Sequence, residues 1–507
     1  MKERLAVHGG VAIGLAAVFG AMAVFRLIDA DEGIYLLNAR DLTRGLVPYI
    51  DFSFPQAPLL LYVYGAWMKV FGVSWYSARL LSAALAVALG LLVYRHVAVV
   101  TGRVVWGVAA AVILASSTLA FSWYTTVKTF GLAALLLFLA YHAVSSGSAR
   151  RRYLLAGVCL GLAIDTRYYL AVVVPLFAAE AWRERERLAA LGRFMAGVAI
   201  GLIPGAIFLL VDADKYIFDI VGTHVVRSDS GPIGAFGQKI KVLRYLLGLH
   251  TTWGLTSVAS IQFALLAFTN LALLIFYLVA RRPLRLSMGI SIAVSLVSLM
   301  PTPTYVQYFC LALPFLVVDA VIGVAPLIDR HAATDAGARA RWLPWAAGIG
   351  LAVYVLVAPI DIYWHIAGGF IVPGVGSREN AKNWTIPAVQ RIGRTIDEEM
   401  PPNGGTVISW WPGYFVETRS DIYPKLRNPW SLWYYRRMPR EDVARYGLVT
   451  HEELVANIRA HAVPVVVLGN LTFDAKDQYR FILQRSGYRL VKQLDDTEIY
   501  RAAEATR

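Results

Sequence analysis

Residues 5–28 read LAVHGGVAIGLAAVFGAMAVFRLI, and the next four are Asp29, Ala30, Asp31 and Glu32. The run of 24 residues follows Lys2 and Arg4, and it exceeds the roughly 20 residues that carry an α-helix across a bilayer. A cleaved signal peptide has an apolar stretch of only about 7–15 residues ending at a small-residue cleavage site, so the run reads as a retained spanning helix. The rest of the chain has the same character. Across 507 residues, 57% are hydrophobic and 16% charged, with a mean hydropathy of +0.54; soluble chains carry about 25% charged residues. A single soluble domain is excluded, and so is an unfolded chain, which requires low hydrophobicity.

Further apolar runs lie near 77–99, 104–122, 129–147, 153–164, 168–182, 194–211, 256–280, 286–301, 306–327 and 342–360. With the first, these predict about eleven spans. The net charge of +14 would suggest nucleic acid if the basic residues formed one patch. They punctuate the apolar runs instead, so no nucleic-acid partner is expected. If Met1 is cytoplasmic, the segments Arg95–Arg103, Arg150–Arg152, Arg183–Arg193, Arg281–Arg285 and Arg330–Arg341 fall on the same side, and every one is rich in arginine. Short cytoplasmic loops carry that excess because Lys and Arg resist translocation. An odd count then leaves the C-terminus outside, which fits a bacterial inner membrane with the N-terminus cytoplasmic. The pair 153–164 and 168–182 is kept apart at Asp165–Thr166–Arg167, since merging it would invert every later loop.

Beyond Asp361 the apolar runs shorten and alternate with amphipathic stretches, the pattern of a soluble α/β unit. Thr406–Trp411 and Val463–Leu468 read as buried strands, and Arg489–Lys492 with Glu498–Arg501 as a closing hairpin. Ala388–Met400, Glu452–His461 and Asp474–Ser486 have helical periodicity. The expected fold class is therefore a polytopic α-helical membrane domain over 1–360, with outer loops 29–76 and 212–254, and a periplasmic or extracellular α/β domain over 361–507. The only cysteines are Cys159 and Cys310, both in predicted spans, so no disulfide framework is expected. The corner Trp410–Trp411–Pro412–Gly413 and the stretch Trp430–Tyr435 suit either an acceptor-covering surface or core and interfacial anchoring.

The first outer segment runs Asp31–Glu32–Gly33–x–Tyr35–x–x–x–Ala39–Arg40, then Gly45–x–x–Pro48–Tyr49–x–Asp51, then Pro55–x–x–Pro58–Leu59. This pattern resembles the first outer loop of membrane glycosyltransferases of the GT-C fold. The likeness is nearest to the family of dolichyl-phosphate-mannose protein mannosyltransferases and bacterial lipid A aminoarabinose transferases, and after Phe71 it continues more by layout than by identity. The resemblance implies transfer of a sugar, hexosyl or pentosyl, from a polyprenyl-phosphate donor to a glycan, lipid or protein acceptor on the outer face, usually with inversion. It also places Asp31 at the family's catalytic acid position and implies no catalytic metal. A short Asp-x-Asp match at Asp29 and Asp31 offers oxygen ligands for Mg²⁺ or Mn²⁺, but it recurs at Asp212 and Asp214, and no cofactor is expected.

Inverting transfer needs a base to take the proton of the acceptor hydroxyl, which is the role expected of Asp31. Adjacent helical residues point about 100° apart, so Glu32 is expected to orient Asp31 or the sugar hydroxyls. The leaving lipid phosphate gathers negative charge and favours fixed cations. The candidates are Lys128, Arg167 beside Tyr168, and His224 with Arg227, spaced i,i+3 on one helix face. An Asp165 ion pair for Arg167, snorkelling for Lys128 and an amphipathic interfacial helix for His224 and Arg227 are the plainer alternatives. Gln307 and Tyr308, before Pro314, resemble the family's segment at the outer start of a late span, where a side chain can touch donor sugar or phosphate; a capped helix start is the plainer alternative. Two other function classes fit the same spans: a lipid or solute transporter or flippase, and a non-catalytic lipid-binding subunit. Transporters often show paired halves, and no internal duplication is evident here.

Overall fold

The computed structural model describes residues 2–146, 151–227, 231–247, 249, 258–333, 342–367, 378–402, 404–472 and 475–503. Parts of the outer segment 212–254 and of the connections Arg150–Arg152 and Arg330–Arg341 lie outside the described residues. The chain forms two compact units: Met1–Val24, Ser82–Gly205 and Ser230–Ile366 make one, and Phe25–Leu81, Ala206–Asp229 and Ala367–Arg507 the other.

The first unit is helical. Of the described helices in the whole chain, Ala6–Phe25, Trp75–Thr101, Ser260–Val279 and Trp345–Ala367 are long and apolar enough to cross a membrane. The pair Arg187–Gly201 and Ile203–Val211, bent by 61°, adds a fifth if it is one broken span. Several other expected runs appear as shorter apolar helices because turns interrupt them. Ser117 takes an extended conformation between Val104–Ser116 and Thr118–Trp123. At the 61° bend, Pro204 has no N–H to continue the preceding helix, and its ring clashes with the carbonyl four residues back. The break expected at Asp165–Arg167 is present, between the helix Arg152–Ile164 and a 3-10 turn over Tyr168–Val173.

Helices Arg152–Ile164 and Arg187–Gly201 pack through two glycine pairs. A Cβ on Gly157 would lie 2.2 Å from Phe194 O, and one on Gly201 would lie 2.4 Å from Val158 O. Small residues four apart on facing helices allow this approach, which replaces the hydrophobic drive that lipid cannot supply.

The second unit contains a five-stranded sheet in the order β2-β1-β3-β5-β4, with β1 Thr406–Ser409, β2 Asp421–Ile422, β3 Val465–Leu468, β4 Tyr488–Leu494 and β5 Thr497–Ala502. β1 pairs in parallel with β2 and β3, whereas β5 runs antiparallel to β3 and β4. All four residues of β3 are buried, as a strand covered on both faces requires. The amphipathic helix Ile386–Glu399 starts at Thr385, whose hydroxyl accepts from Ala388 N, and buries Val389, Ile392 and Ile396. The two-residue β2 was not anticipated from the sequence, being too short to show alternation.

Candidate active site

In the second unit, the helix Ala30–Thr43 begins with a reciprocal cap. Asp29 Oδ1 accepts from Asp31 N at 3.1 Å, and Glu32 Oε1 accepts from Asp29 N at 2.7 Å. The spacing Asp-x-x-Glu is a capping-box signal visible in sequence. It fixes the N-terminus of the helix and therefore the direction in which each acid points.

Glu32 is fully buried and gripped by Arg79, whose Nε donates to Oε2 at 2.9 Å and Nη2 to Oε1 at 2.6 Å. Arg26 adds a contact at 3.7 Å. Burial alone would push the Glu32 carboxyl up, but the Arg79 and Arg26 guanidiniums pull it to a net position below the ordinary range. Arg79 also donates to the carbonyls of Arg26 at 2.5 Å and Leu27 at 3.2 Å, tying the preceding turn to the new helix.

Asp29 is 1% exposed and Glu32 0%, whereas Asp31 keeps partial exposure. Its Oδ1 accepts from the indole Nε1 of Trp430 at 3.1 Å. Arg227 sits with its guanidinium 5.8 Å from the Trp430 ring, and Arg437 donates to the carbonyls of Val226 and Arg227 at 3.3 Å each. Asp31, Trp430 and Arg227 therefore form one cluster. His224, in the short helix Thr223–Val226, lies with Nε2 3.3 Å from Pro55 O, so the expected i,i+3 pair diverges to two partners.

Gly33 explains its place in the acidic motif. A Cβ there would be 2.6 Å from Gly413 Cα and 2.9 Å from Trp411 Cε2. Trp411 is fully buried and donates its indole N–H to Ala30 O at 2.8 Å, which makes it a core residue holding the acidic helix. Further along, Arg40 is buried among Asp41 and Asp421, each at 2.8 Å, and donates to Phe415 O. Arg427 closes the network on Asp41 at 2.6 Å.

The Asp-x-Asp pairs have local uses. Asp29 caps its helix, Asp212 Oδ1 accepts from Lys215 N at 3.0 Å, and Asp214 pairs with Arg445 at 2.7 Å.

In the first unit, Arg167 is 6% exposed. Its Nη1 donates to Thr129 Oγ1 at 2.6 Å, and its guanidinium lies 4.5 Å from the Phe130 ring, 4.8 Å from Tyr169 and 5.1 Å from Tyr308. Lys128 Nζ shares the Phe130 ring at 5.8 Å and faces Trp123 at 5.2 Å. Such ring faces attract a cation while shielding it from water. Tyr308 belongs to this cage, whereas Tyr168 contacts Tyr169 at 6.1 Å between ring centres. Gln307, in the 3-10 turn Val306–Leu311, is 6% exposed, and its Oε1 has no hydrogen-bond partner among the described residues. Sequence reading missed Arg79, which has no motif of its own, and it singled out the stretch Trp430–Tyr435 without linking Trp430 to Asp31. It found the cations of the cage and Tyr308, but not the places of Trp123, Phe130 and Tyr169 around them.

Residues 55–210 match the family described as dolichyl-phosphate-mannose-protein mannosyltransferase. The match begins after the Asp31 motif. No curated protein matches the chain in sequence. Among solved structures, the chain is similar to ArnT from Cupriavidus metallidurans bound to undecaprenyl phosphate, at 13% identity and a TM-score of 0.63, covering 100% of this chain and 99% of that one. The apo state of the same protein aligns at 14% identity and a TM-score of 0.62, covering 98% of each chain. The chain is thus a multi-pass membrane protein with the GT-C glycosyltransferase fold, carrying over residues 55–210 the sequence mark of the dolichyl-phosphate-mannose-protein mannosyltransferases.

Proposed function

We propose that the protein transfers a sugar, hexosyl or pentosyl, from a polyprenyl-phosphate-linked donor to a glycan, lipid or protein acceptor, with inversion, on the outer face of a bacterial inner membrane. The observation that carries this is the division of labour within one acidic cluster. Asp29 and Glu32 are buried, the one capping its helix and the other paired with Arg79, while Asp31 keeps a partly exposed carboxylate held by Trp430. A fixed, partly hydrated carboxylate suits a general base.

Asp31 takes the proton of the acceptor hydroxyl as that oxygen bonds to the anomeric carbon. The bond from that carbon to the carrier phosphate breaks, and its electron pair leaves with the phosphate. The charge that develops there favours fixed cations, and Arg167 and Lys128 of the first unit are our candidates for that role. Glu32 acts through structure, holding the helix that aims Asp31. The proposed reaction uses no metal; chelation should leave transfer intact, and loss of activity restored by Mg²⁺ or Mn²⁺ would overturn that part.

The test is transfer from labelled polyprenyl-phosphate sugar in membranes containing either the native chain or Asp31→Asn. Loss of a general base costs about 10²–10⁴-fold, so the variant should be nearly silent. Equal transfer by both chains would remove Asp31 from the mechanism. Donor binding without transfer by the native chain would instead favour the lipid-binding subunit.

A further inference from the structure

Away from the acidic cluster, the C-terminal domain has an open cavity of about 410 Å³. One side is aromatic. Trp410 and Tyr479 pack with ring centres 4.2 Å apart, and Trp433 is 58% exposed. The polar edge is pre-set: Tyr479 OH lies 2.6 Å from His451 Nδ1, and Gln478 Nε2 lies 3.3 Å from His451 Nε2. Arg436 and Arg437 complete the lining, which holds no acidic side chain among the described residues. Glu452 lies close enough to Arg436 to interact with it, which sets two guanidiniums against one carboxylate among the described residues.

We infer that this cavity binds an anionic sugar, a pyranose carrying a phosphate or carboxylate. A pyranose has an apolar C–H face that packs on an aromatic ring and a rim of hydroxyls that needs donors and acceptors, and the cavity offers both. The guanidiniums add charge-assisted hydrogen bonds, which are stronger than neutral ones, and they select the charged sugar over the neutral one. The cavity also adjoins the proposed base through one ring. Trp433 lies 5.9 Å from Trp430, which hydrogen-bonds Asp31. The inference rests on the transferase reading only in naming this sugar as part of the acceptor; binding itself is separable.

The test uses the full chain in phosphatidylcholine nanodiscs with no donor present, and compares glucose 6-phosphate and glucuronate with glucose and inorganic phosphate by saturation-transfer NMR. The two anionic sugars should bind at least about tenfold more tightly than either half alone. Arg436→Gln should remove the preference for the charged sugars, and Trp433→Ala should weaken all sugars alike. Both side chains are at the surface, and unchanged thermal unfolding checks that each variant folds. Competition by a phosphorylated glycolipid or by a phosphorylated oligosaccharide identifies the source of the sugar, and displacement by either supports the site. Equal binding of all four probes, or glucose 6-phosphate binding that Arg436→Gln leaves unchanged, overturns it. Asp31→Asn should retain this binding while losing transfer, which separates failure of the cavity from failure of the transferase.

Discussion

Trp430 donates its indole N–H to Asp31 Oδ1 across 3.1 Å, joining residues 399 positions apart in sequence. A hydrogen bond to the ionised form of a carboxylate favours that form, and it also fixes the direction of the second oxygen. The contact gives the C-terminal domain a chemical link to the proposed base.

Trp430→Phe keeps the ring and removes the donor. The expected result is a fall in kcat of about 3–10-fold, the size of one hydrogen bond's net contribution. An unchanged kcat would reduce Trp430 to packing.

Glu32 and Arg79 are both 0% exposed. Breaking a buried ion pair by removing one partner costs about 3–5 kcal/mol, because the other charge remains in the interior. Glu32→Gln should therefore lower thermal stability sharply. Glu32→Leu combined with Arg79→Met should recover part of the loss, since Arg26 is then the one charge of the cluster left facing position 32. An unchanged melting temperature in Glu32→Gln would show that the pair holds little of the fold.

Much of this arrangement was legible in the chain. The apolar runs marked the helices, the Asp165–Arg167 link marked a true break, and the hairpin of β4 and β5 followed from its alternation. The capping box at Asp29 and Glu32 is local and could have been read, which would have turned Glu32 inward at once. Arg79 and Trp430 could not, because their partners lie far away in sequence and nothing in their own neighbourhoods points to an acid. Helix lengths were overestimated for a related reason. Hydropathy averages across Ser117, where a short Ser116–Thr118 interruption is outweighed by its apolar flanks, and across Leu202, where the backbone turns without loss of apolar character.

Asp219 is buried, accepting from Ser53 Oγ at 2.6 Å and Phe54 N at 3.3 Å. Burial pushes its carboxyl up to about 7, despite those hydrogen bonds and the nearby Lys215. The folded state therefore holds a proton that the unfolded chain releases above its ordinary value near 3.8. The contribution to stability is full below that value, declines as pH rises toward about 7, and is gone above it. The melting temperature should fall by at least about 3 °C between pH 5 and pH 8 through this group. Asp219→Asn should flatten that part of the curve. An identical pH slope in the variant would assign the dependence to other groups.

Arg167 distinguishes a shaped cation site from a merely positive one. Its guanidinium lies within 5.1 Å of three ring centres and donates to Thr129, using both the flat faces and the edge of the group. An ammonium keeps the charge but has neither the plane to stack nor the fork to grip a phosphate from a set direction. If Arg167 holds the donor phosphate, Arg167→Lys should raise KM for the polyprenyl-phosphate sugar about tenfold or more while KM for the acceptor stays level, and Arg167→Ala should go further in the same direction. If only the cage needed a cation to pack around, Arg167→Lys would lose thermal stability with donor KM unchanged. Measuring both substrates' KM beside the melting temperature separates the two outcomes, since phosphate recognition moves the donor constant and packing moves the stability.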